Sequence, residues 1–169
     1  PGGAAAGATD SKMPDMQAGW EQMCSNVMAG LSGVNMVYEA AGMHASLLGF
    51  CHESLILGDD IIGQALRCVR GVEVNDKTMA LDQIAEVCMG GPGHYLGTDQ
   101  TLARMQTDCV YPTFGNRMSP KEWAEKDKPD LIQNAIARKE EILSQRSQAK
   151  FDPALDAAIR ERFNIYLPA

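Results

Sequence analysis

The sequence lacks the features that mark membrane spans and secretion. No apolar run approaches the roughly 20 residues that a helix needs to cross a bilayer. The opening segment, PGGAAAGATDSK, has neither the basic stretch nor the apolar core of a signal peptide. These absences predict a soluble cytoplasmic protein with no membrane partner.

Basic charge and metal-type cysteine spacing are also scarce. The chain has 15 Lys and Arg against 22 Asp and Glu, a formal charge of −7, which disfavours nucleic acid as a partner because such binding neutralises phosphates. The five cysteines never form a Cys-x-x-Cys pair, so they are expected to be small buried apolar residues and not zinc ligands. With 169 residues, 45 % of them hydrophobic, the chain is long enough for one domain.

A glycine-rich run, GGPGHYLGTD, occupies residues 90–99. It has no Gly-Lys-Ser/Thr, so it is not a phosphate-binding P-loop. A dinucleotide fingerprint would need glycine where Leu96 stands and a preceding strand, whereas residues 78–89 have a helical pattern. The run is therefore a loop with another purpose.

Periodicity predicts a helix-rich α/β chain. Apolar residues recur at helical spacing over residues 14–31, with Trp20 in the predicted core stripe. The run VNMVYEA at residues 34–40 is short, apolar and bounded by small residues, which predicts a buried parallel strand. Further helices are predicted at 53–69, 75–89, 98–107 and 130–148, after Ser119-Pro120 and after Asp152-Pro153.

One strand among so many helices makes an incomplete architecture, because a lone strand cannot form a stable sheet. A (β/α)₈ barrel takes about 250 residues. If the α/β order belongs to such a barrel, this chain holds only its last units and a helical extension.

Four segments in order resemble the C-terminal third of the trimethylamine:corrinoid methyltransferase family. They are GATDSKMPDMQAGWE (7–21), GVNMVYEAAGMHAS (33–46), ESLILGDDIIGQALRCVRGVEVND (53–76) and GGPGHYLGTDQTL (90–102). The resemblance implies the C-terminal part of a (β/α)₈ TIM barrel over residues 1–72, followed by a mostly helical C-terminal extension over residues 73–169. It also implies methyl transfer from a methylated amine to the Co(I) corrinoid (cobalamin) of a cognate corrinoid protein. We also expect a homo-oligomer.

Trimethylamine is the first expectation for the substrate. Trimethylamine-specific members of the family carry pyrrolysine from an in-frame amber codon, and a chain that starts at Pro1 is what remains when reading resumes after such a codon. We therefore expect pyrrolysine immediately before Pro1. The alternatives are a glycine betaine:corrinoid methyltransferase without pyrrolysine and a non-catalytic helical interaction subunit.

Three polar residues near the predicted strand are candidates for holding a methylated ammonium ion. Aromatic faces and carboxylates suit such a cation, and in a barrel they follow the carboxyl ends of strands, which favours Asp10, Tyr38 and Glu39. Asp10 could instead cap a turn, and Tyr38 could belong to the core. His44 is expected to be a satisfied polar residue, so no metal site is predicted.

The glycine-rich run supplies three more substrate-binding candidates, Gly93, His94 and Tyr95. The resemblance implies that this run lies on the active-site side, where glycine lets the backbone approach a ligand or the corrinoid and the two side chains supply contacts. The alternative is a tight connection between two helices. Within the chain itself, no catalytic residue is predicted.

Overall fold

The computed structural model describes residues 2–145 and 152–166. The chain divides into two compact units, Pro1–Lys139 and Glu140–Ala169. The first unit carries the strands found among the described residues, and the second carries the final helix. All the elements that position the candidate site belong to the first unit.

A parallel βαβ unit opens the fold. Strand β1 (Gly3–Ala5) pairs in parallel with strand β2 (Met36–Tyr38). Helix α1 (Met16–Leu31) follows its N-cap Asp15 and forms the crossover that two parallel strands require. The parallel strand predicted at 34–40 is present as β2, but the prediction that it is buried is wrong, because Met36 and Tyr38 are exposed. The sequence pattern does not predict β1, because glycine and alanine have low strand propensity and become a strand here only by pairing.

The two faces of this small sheet differ in burial. Ala4 lies opposite Val37, and both are half-buried, whereas Gly3, Met36 and Tyr38 are exposed. Side chains alternate along a strand, so the exposed residues share one face and the half-buried residues share the other. The sheet therefore has one covered and one open face.

A short antiparallel hairpin follows β2 and leads into the second long helix. Strand β3 (Met43–His44) pairs with strand β4 (Gly49–Phe50), and residues 45–47 in the turn are all left-handed. Helix α2 (His52–Arg70) comes next, which confirms the helix predicted at 53–69.

Helix α1 packs against α2 through small and polar side chains, not through the predicted stripe of large apolar residues. Trp20 is 58 % exposed, so the prediction that it belongs to the core is wrong. The two helices approach closely, since a Cβ on Gly30 would lie 2.5 Å from Cγ2 of Val69, and such an approach favours small residues at the interface. The buried residues of α1 are Ala18, Gln22, Asn26 and Ala29.

Helices make up most of the remaining described chain. The predictions of helices near residue 98, after Ser119 and after Asp152 are confirmed. The bounds are α3 (Asp76–Met79), α4 (Leu81–Cys88), α5 (Asp99–Asp108), α6 (Pro120–Glu125), α7 (Leu131–Ser144) and α8 (Pro153–Arg162).

Two of the predicted helices differ from those in the structure. The helix predicted at 75–89 is divided into α3 and α4, because Ala80 adopts a left-handed conformation with φ of 51°. The helix predicted at 130–148 is present as α7, but residues 146–148 lie outside the described residues.

Large apolar side chains are scarcely buried in the described residues. Met16 is 81 % exposed and Leu48 is 90 % exposed. The buried hydrophobic residues are five alanines and one valine, namely Ala6, Ala18, Ala29, Ala65, Val87 and Ala135. No described helix combines the length and hydropathy that a bilayer crossing requires.

The prediction that the cysteines are buried is also wrong. Cys51 is half-buried, and the other four are exposed: Cys24, Cys68, Cys88 and Cys109. A cysteine on an apolar helical face is buried only where another element covers that face. The described residues bury little beyond alanine, so they leave these faces open.

Candidate functional site

The candidate site lies where the two parallel strands end. The chain leaves both strands at the same edge of the sheet, and after β1 it forms a segment, residues 6–11, that we call the strand-end loop. The Ala6 N–H donates to the Tyr38 carbonyl oxygen (3.1 Å), which extends the pairing one residue past the strands. Three residues predicted from the sequence belong to the segments that end or follow these strands, namely Asp10, Tyr38 and Glu39.

Gly7 allows the strand-end loop to lie directly against the end of β2. Its φ is +83°, and a Cβ at this position would lie 2.2 Å from the carbonyl oxygen of Ala40. The Gly7 N–H donates to Ser25 Oγ of α1 (2.9 Å). Only glycine combines this backbone conformation with such a close approach.

Glu21 of α1 holds the middle of the strand-end loop. Its Oε2 accepts hydrogen bonds from Thr9 Oγ1 (2.5 Å) and from the Asp10 backbone N–H (2.9 Å), and its Oε1 accepts one from Gln17 Nε2 (2.9 Å). These bonds favour the charged carboxylate, and the pKa of Glu21 is lowered chiefly by the bond from Thr9. Glu21 is therefore a charged acceptor at neutral pH.

The β3–β4 hairpin holds the other side of the strand-end loop. The Thr9 N–H donates to the Met43 carbonyl (3.1 Å), and the Ser46 N–H donates to the Thr9 carbonyl (3.2 Å). Ser46 Oγ also donates to Oδ1 of Asp10 (2.5 Å). The loop is thus fixed between α1 and the hairpin.

His44 links this hairpin to the start of α2. It is 4 % exposed, with Nδ1 3.2 Å from the Ser11 carbonyl oxygen and Nε2 2.7 Å from Ser54 Oγ. A carbonyl oxygen only accepts, so Nδ1 carries a proton and donates, and in the neutral ring Nε2 accepts from Ser54. The prediction of a satisfied polar histidine is confirmed.

The side chains of the three strand-edge candidates are exposed. Tyr38 is 52 % exposed, and its ring lies across β1, where a Cβ on Gly3 would be 2.6 Å from its Oη. Glu39 has a left-handed φ of 61° and no hydrogen bond to another described residue. Asp10 is bonded to Ser46 on one carboxylate oxygen. All three side chains therefore face solvent, and the Tyr38 ring is directed back over the start of β1 and not towards the strand ends.

The other three candidates lie in a separate segment between α4 and α5, residues 90–97, which we call the glycine-rich loop. The Gly93 N–H donates to the Val87 carbonyl (3.1 Å), and the Tyr95 hydroxyl lies 3.4 Å from Cys88 Sγ. That contact raises the pKa of Tyr95. Across the part of the chain that the structure describes, no hydrogen bond joins this loop to the strand ends, so it and the strand-end loop are two distinct groups of candidates.

Sequence reasoning misses the polar residues of α1 that build the strand edge, namely Glu21, Ser25 and Asn26. Asn26 is 7 % exposed and donates from Nδ2 to the Ala40 carbonyl (3.0 Å). The available signal is that Glu21 and Ser25 lie one turn apart on a helix that follows a strand, so they share one face, with Asn26 next to Ser25.

One strong ion pair lies next to the hairpin. Lys139 Nζ is 2.8 Å from Oε1 of Glu53, near the start of α2, and both side chains are about four-fifths hidden from solvent. This hydrogen bond is the main reason that the pKa of Glu53 falls to about 2, and the Cys51 thiol donates to the other oxygen (3.3 Å). Within residues 2–145 and 152–166, no group of His, Cys, Asp or Glu side chains could hold a metal ion.

The βαβ unit is compatible with part of an α/β protein, a class in which ligands bind at the carboxyl ends of parallel strands. Residues 1–164 match the family described as trimethylamine methyltransferase (MTTB). The chain belongs to this family, and the resemblance stated from the sequence is confirmed.

Curated relatives carry two kinds of name. A glycine betaine methyltransferase of Desulfitobacterium hafniense Y51 is 34 % identical over 154 residues, which is 91 % of this chain and 32 % of the relative. The trimethylamine methyltransferase MttB of D. hafniense DCB-2 is 28 % identical over 95 % of this chain and 32 % of its own. MttB of Methanosarcina barkeri strain Fusaro is 30 % identical over 85 % of this chain and 28 % of its own. The chain therefore spans about a third of the length of these relatives.

Proposed function

We propose that the protein containing this chain transfers a methyl group from trimethylamine to the Co(I) corrinoid of a partner corrinoid protein. The observation that carries the proposal is the family match over residues 1–164. Two exposed carboxylates and an exposed tyrosine at the strand edge support it, because this set suits a methylated ammonium ion.

We further propose that residues 1–72 are the last units of a (β/α)₈ barrel and that residues 73–169 are its helical extension. The β-α-β order followed by α2 supports this arrangement. The open face of the sheet also supports it, since Gly3, Met36 and Tyr38 would then line the barrel interior while α1 lies outside. In a barrel, the strand-end loop would belong to the catalytic face.

The residues at this edge have distinct parts in the proposed site. A trimethylammonium ion is attracted to the carboxylates of Asp10 and Glu39, and the ring of Tyr38 offers an aromatic face worth about 1 to 2 kcal/mol when desolvated. The corrinoid of the partner supplies the nucleophile that accepts the methyl group. Exposure of both carboxylates and of the ring leaves them accessible to a ligand from the open side.

The glycine-rich loop is also proposed to contact the substrate or the corrinoid, through Gly93, His94 and Tyr95. A Cβ on Gly93 would meet no atom within 4 Å, so its backbone has open space beside it for a ligand. In the proposed protein, this loop approaches the substrate or the corrinoid through exposed backbone and through the imidazole and phenol groups.

Glycine betaine is the second candidate substrate, favoured by the glycine betaine methyltransferase among the relatives. Betaine adds a carboxylate to the quaternary ammonium group. Asp10 and Glu39 would repel that carboxylate, and His94 is the one cation-forming side chain among the six candidates. The charge of the strand edge therefore favours trimethylamine.

A methyl-transfer assay tests the proposed substrate. The protein is mixed with Co(I) cobalamin and either trimethylamine or glycine betaine, and methylated cobalamin is followed by its absorbance. We expect a signal with trimethylamine, weakened by Asp10→Asn and Glu39→Gln but not by the control Asp82→Asn on α4. A signal with betaine alone would favour the second substrate, and no signal with any amine would contradict methyl transfer.

Pyrrolysine immediately before Pro1 remains part of the proposal. The codon that precedes Pro1 in the gene, together with the mass of the peptide that spans this position, tests it. An amber codon and a modified lysine mass are expected for the trimethylamine branch. A sense codon would contradict pyrrolysine and favour the betaine branch.

A further inference from the structure

Glu21 connects α1 to Asp10, one of the two carboxylates of the proposed cation site. Its carboxylate accepts from the side chain of Thr9 and the backbone of Asp10, and Gln17 on the same helix donates to its other oxygen. Its position in a helix gives no sign of such a role. All three bonds converge on one charged group beside the exposed Asp10.

Asp10 is the exposed member of an otherwise buried stretch. Thr9 is 3 % exposed and Ser11 is 4 % exposed, so the residues that flank Asp10 are fixed inside the molecule. The backbone of Asp10 is bonded to Glu21, and its side chain accepts from Ser46. The direction of the Asp10 carboxylate is therefore set by Glu21 on one side and by the hairpin on the other.

We propose that Glu21 is a positioning residue that fixes the Asp10 carboxylate for the cationic head of the substrate. The inference rests on the proposed function, which assigns a methylated ammonium ion to this edge. Glu21 itself does not touch the substrate in this account. Its carboxylate holds Thr9 and Asp10 in place, so that no binding energy is used to order the loop.

Trimethylammonium affinity, measured by calorimetry on the whole protein without corrinoid, provides the first test. Glu21→Leu removes the acceptors at similar size, and we expect Kd to rise about tenfold, equal to about 1.4 kcal/mol. Glu21→Gln keeps one acceptor oxygen and should restore most of the affinity. Ser25→Ala is the matched control, because it removes a bond from α1 to Gly7 in the same loop without touching Asp10.

A double-mutant cycle separates positioning from general stability. If Glu21 acts through Asp10, Glu21→Leu should change Kd by less than about twofold in the Asp10→Asn background. Additive effects, or equal effects of Ser25→Ala and Glu21→Leu on Kd, would overturn the inference. An Asp10→Asn protein with unchanged Kd would overturn it as well. Because calorimetry needs no turnover, normal binding without methyl transfer would contradict the proposed function and leave Glu21 positioning intact.

Discussion

The strand-end loop and the glycine-rich loop differ in what fixes them. Four of the six residues of the strand-end loop are buried: Ala6, Gly7, Thr9 and Ser11. Its hydrogen bonds run to β2, α1 and the hairpin, which are distant in sequence. In the glycine-rich loop every residue is exposed, and the bonds described for it stay close to α4 and α5.

The comparison shows that glycine content is a poor guide to a rigid site. Three glycines of the glycine-rich loop have a positive φ, and a Cβ built on them would meet no atom within 4 Å: Gly90, Gly93 and Gly97. They allow the backbone to turn but make no close contact with another segment. Gly91 approaches the carbonyl groups of Glu86 and Val87, in the adjoining helix. The single Gly7 of the strand-end loop instead fixes the contact between two strand ends. The strand-end loop, which has fewer glycines, is held by more contacts with the rest of the fold.

Gly7→Ala is the variant expected to have the largest effect on the strand-end loop. The added Cβ would meet the Ala40 carbonyl oxygen, and the left-handed φ of +83° would also be strained. We expect a loss of at least about 3 kcal/mol in the free energy of unfolding. Chemical denaturation measures the loss. A variant as stable as the wild type would show that the strand-end loop can move away from β2.

Asn26→Ala should have the next largest effect. Asn26 is buried, and its loss leaves the Ala40 carbonyl without the bond from Nδ2, so we expect a cost of about 2 kcal/mol. Asn116→Ala is the matched control, because Asn116 is exposed and its Oδ1 accepts from the nearby Met118 N–H. Equal shifts of the denaturation midpoint in both variants would contradict a special role for Asn26.

Local signals predict the helices and the polar residues at strand ends. Helical periodicity and caps such as Asp152 are properties of neighbouring residues, so they can be read from the sequence. The strand-edge candidates Asp10 and Glu39 follow from the same logic, since they come directly after apolar or small segments. What the sequence predicts is therefore the position of these residues along the chain.

Strand pairing and helix packing cannot be inferred from local sequence signals in the same way. Strand β1 exists because it pairs with β2, and the paired residues are 33 positions apart in the sequence. Helices α1 and α2 approach closely at Gly30, which favours small residues at the interface, and periodicity alone does not show that Trp20 is exposed. Glu21 has no local signal, because its partners Thr9 and Asp10 are brought to it only by the fold.

Gly93→Ala tests the glycine-rich loop with the same substitution as at Gly7. No neighbour obstructs the new Cβ, so only the left-handed φ of +72° costs energy, about 1 kcal/mol. We expect a small shift of the denaturation midpoint. If methyl transfer falls much further than stability, the loop contacts substrate or corrinoid as proposed. If both fall slightly, the glycine serves the turn alone.

Lowering the pH should weaken the hairpin side of the molecule before the glycine-rich loop. Glu53, which follows the hairpin, has a pKa lowered from 4.5 to about 2 by its bond from Lys139. A lowered pKa stabilises the fold above pH 4.5, and this stabilisation is lost as the pH falls from 4.5 towards 2. Tyr95 has a raised pKa, so its contribution to stability is lost only as the pH rises above the ordinary value of 10.0, and it predicts no loss in acid.

Glu53→Gln measures the stabilisation that the charged Glu53 carboxylate supplies, which is the smallest effect predicted. We expect the variant to be less stable than the wild type by up to about 1 kcal/mol at pH 7, with the difference vanishing near pH 2. Denaturation curves at pH 7, 4 and 2, in parallel with Lys139→Met, measure it. Both variants should flatten the same part of the pH profile, because each removes one partner of the Glu53–Lys139 ion pair. A constant difference at every pH would mean that the carboxylate contributes through packing and not through its charge.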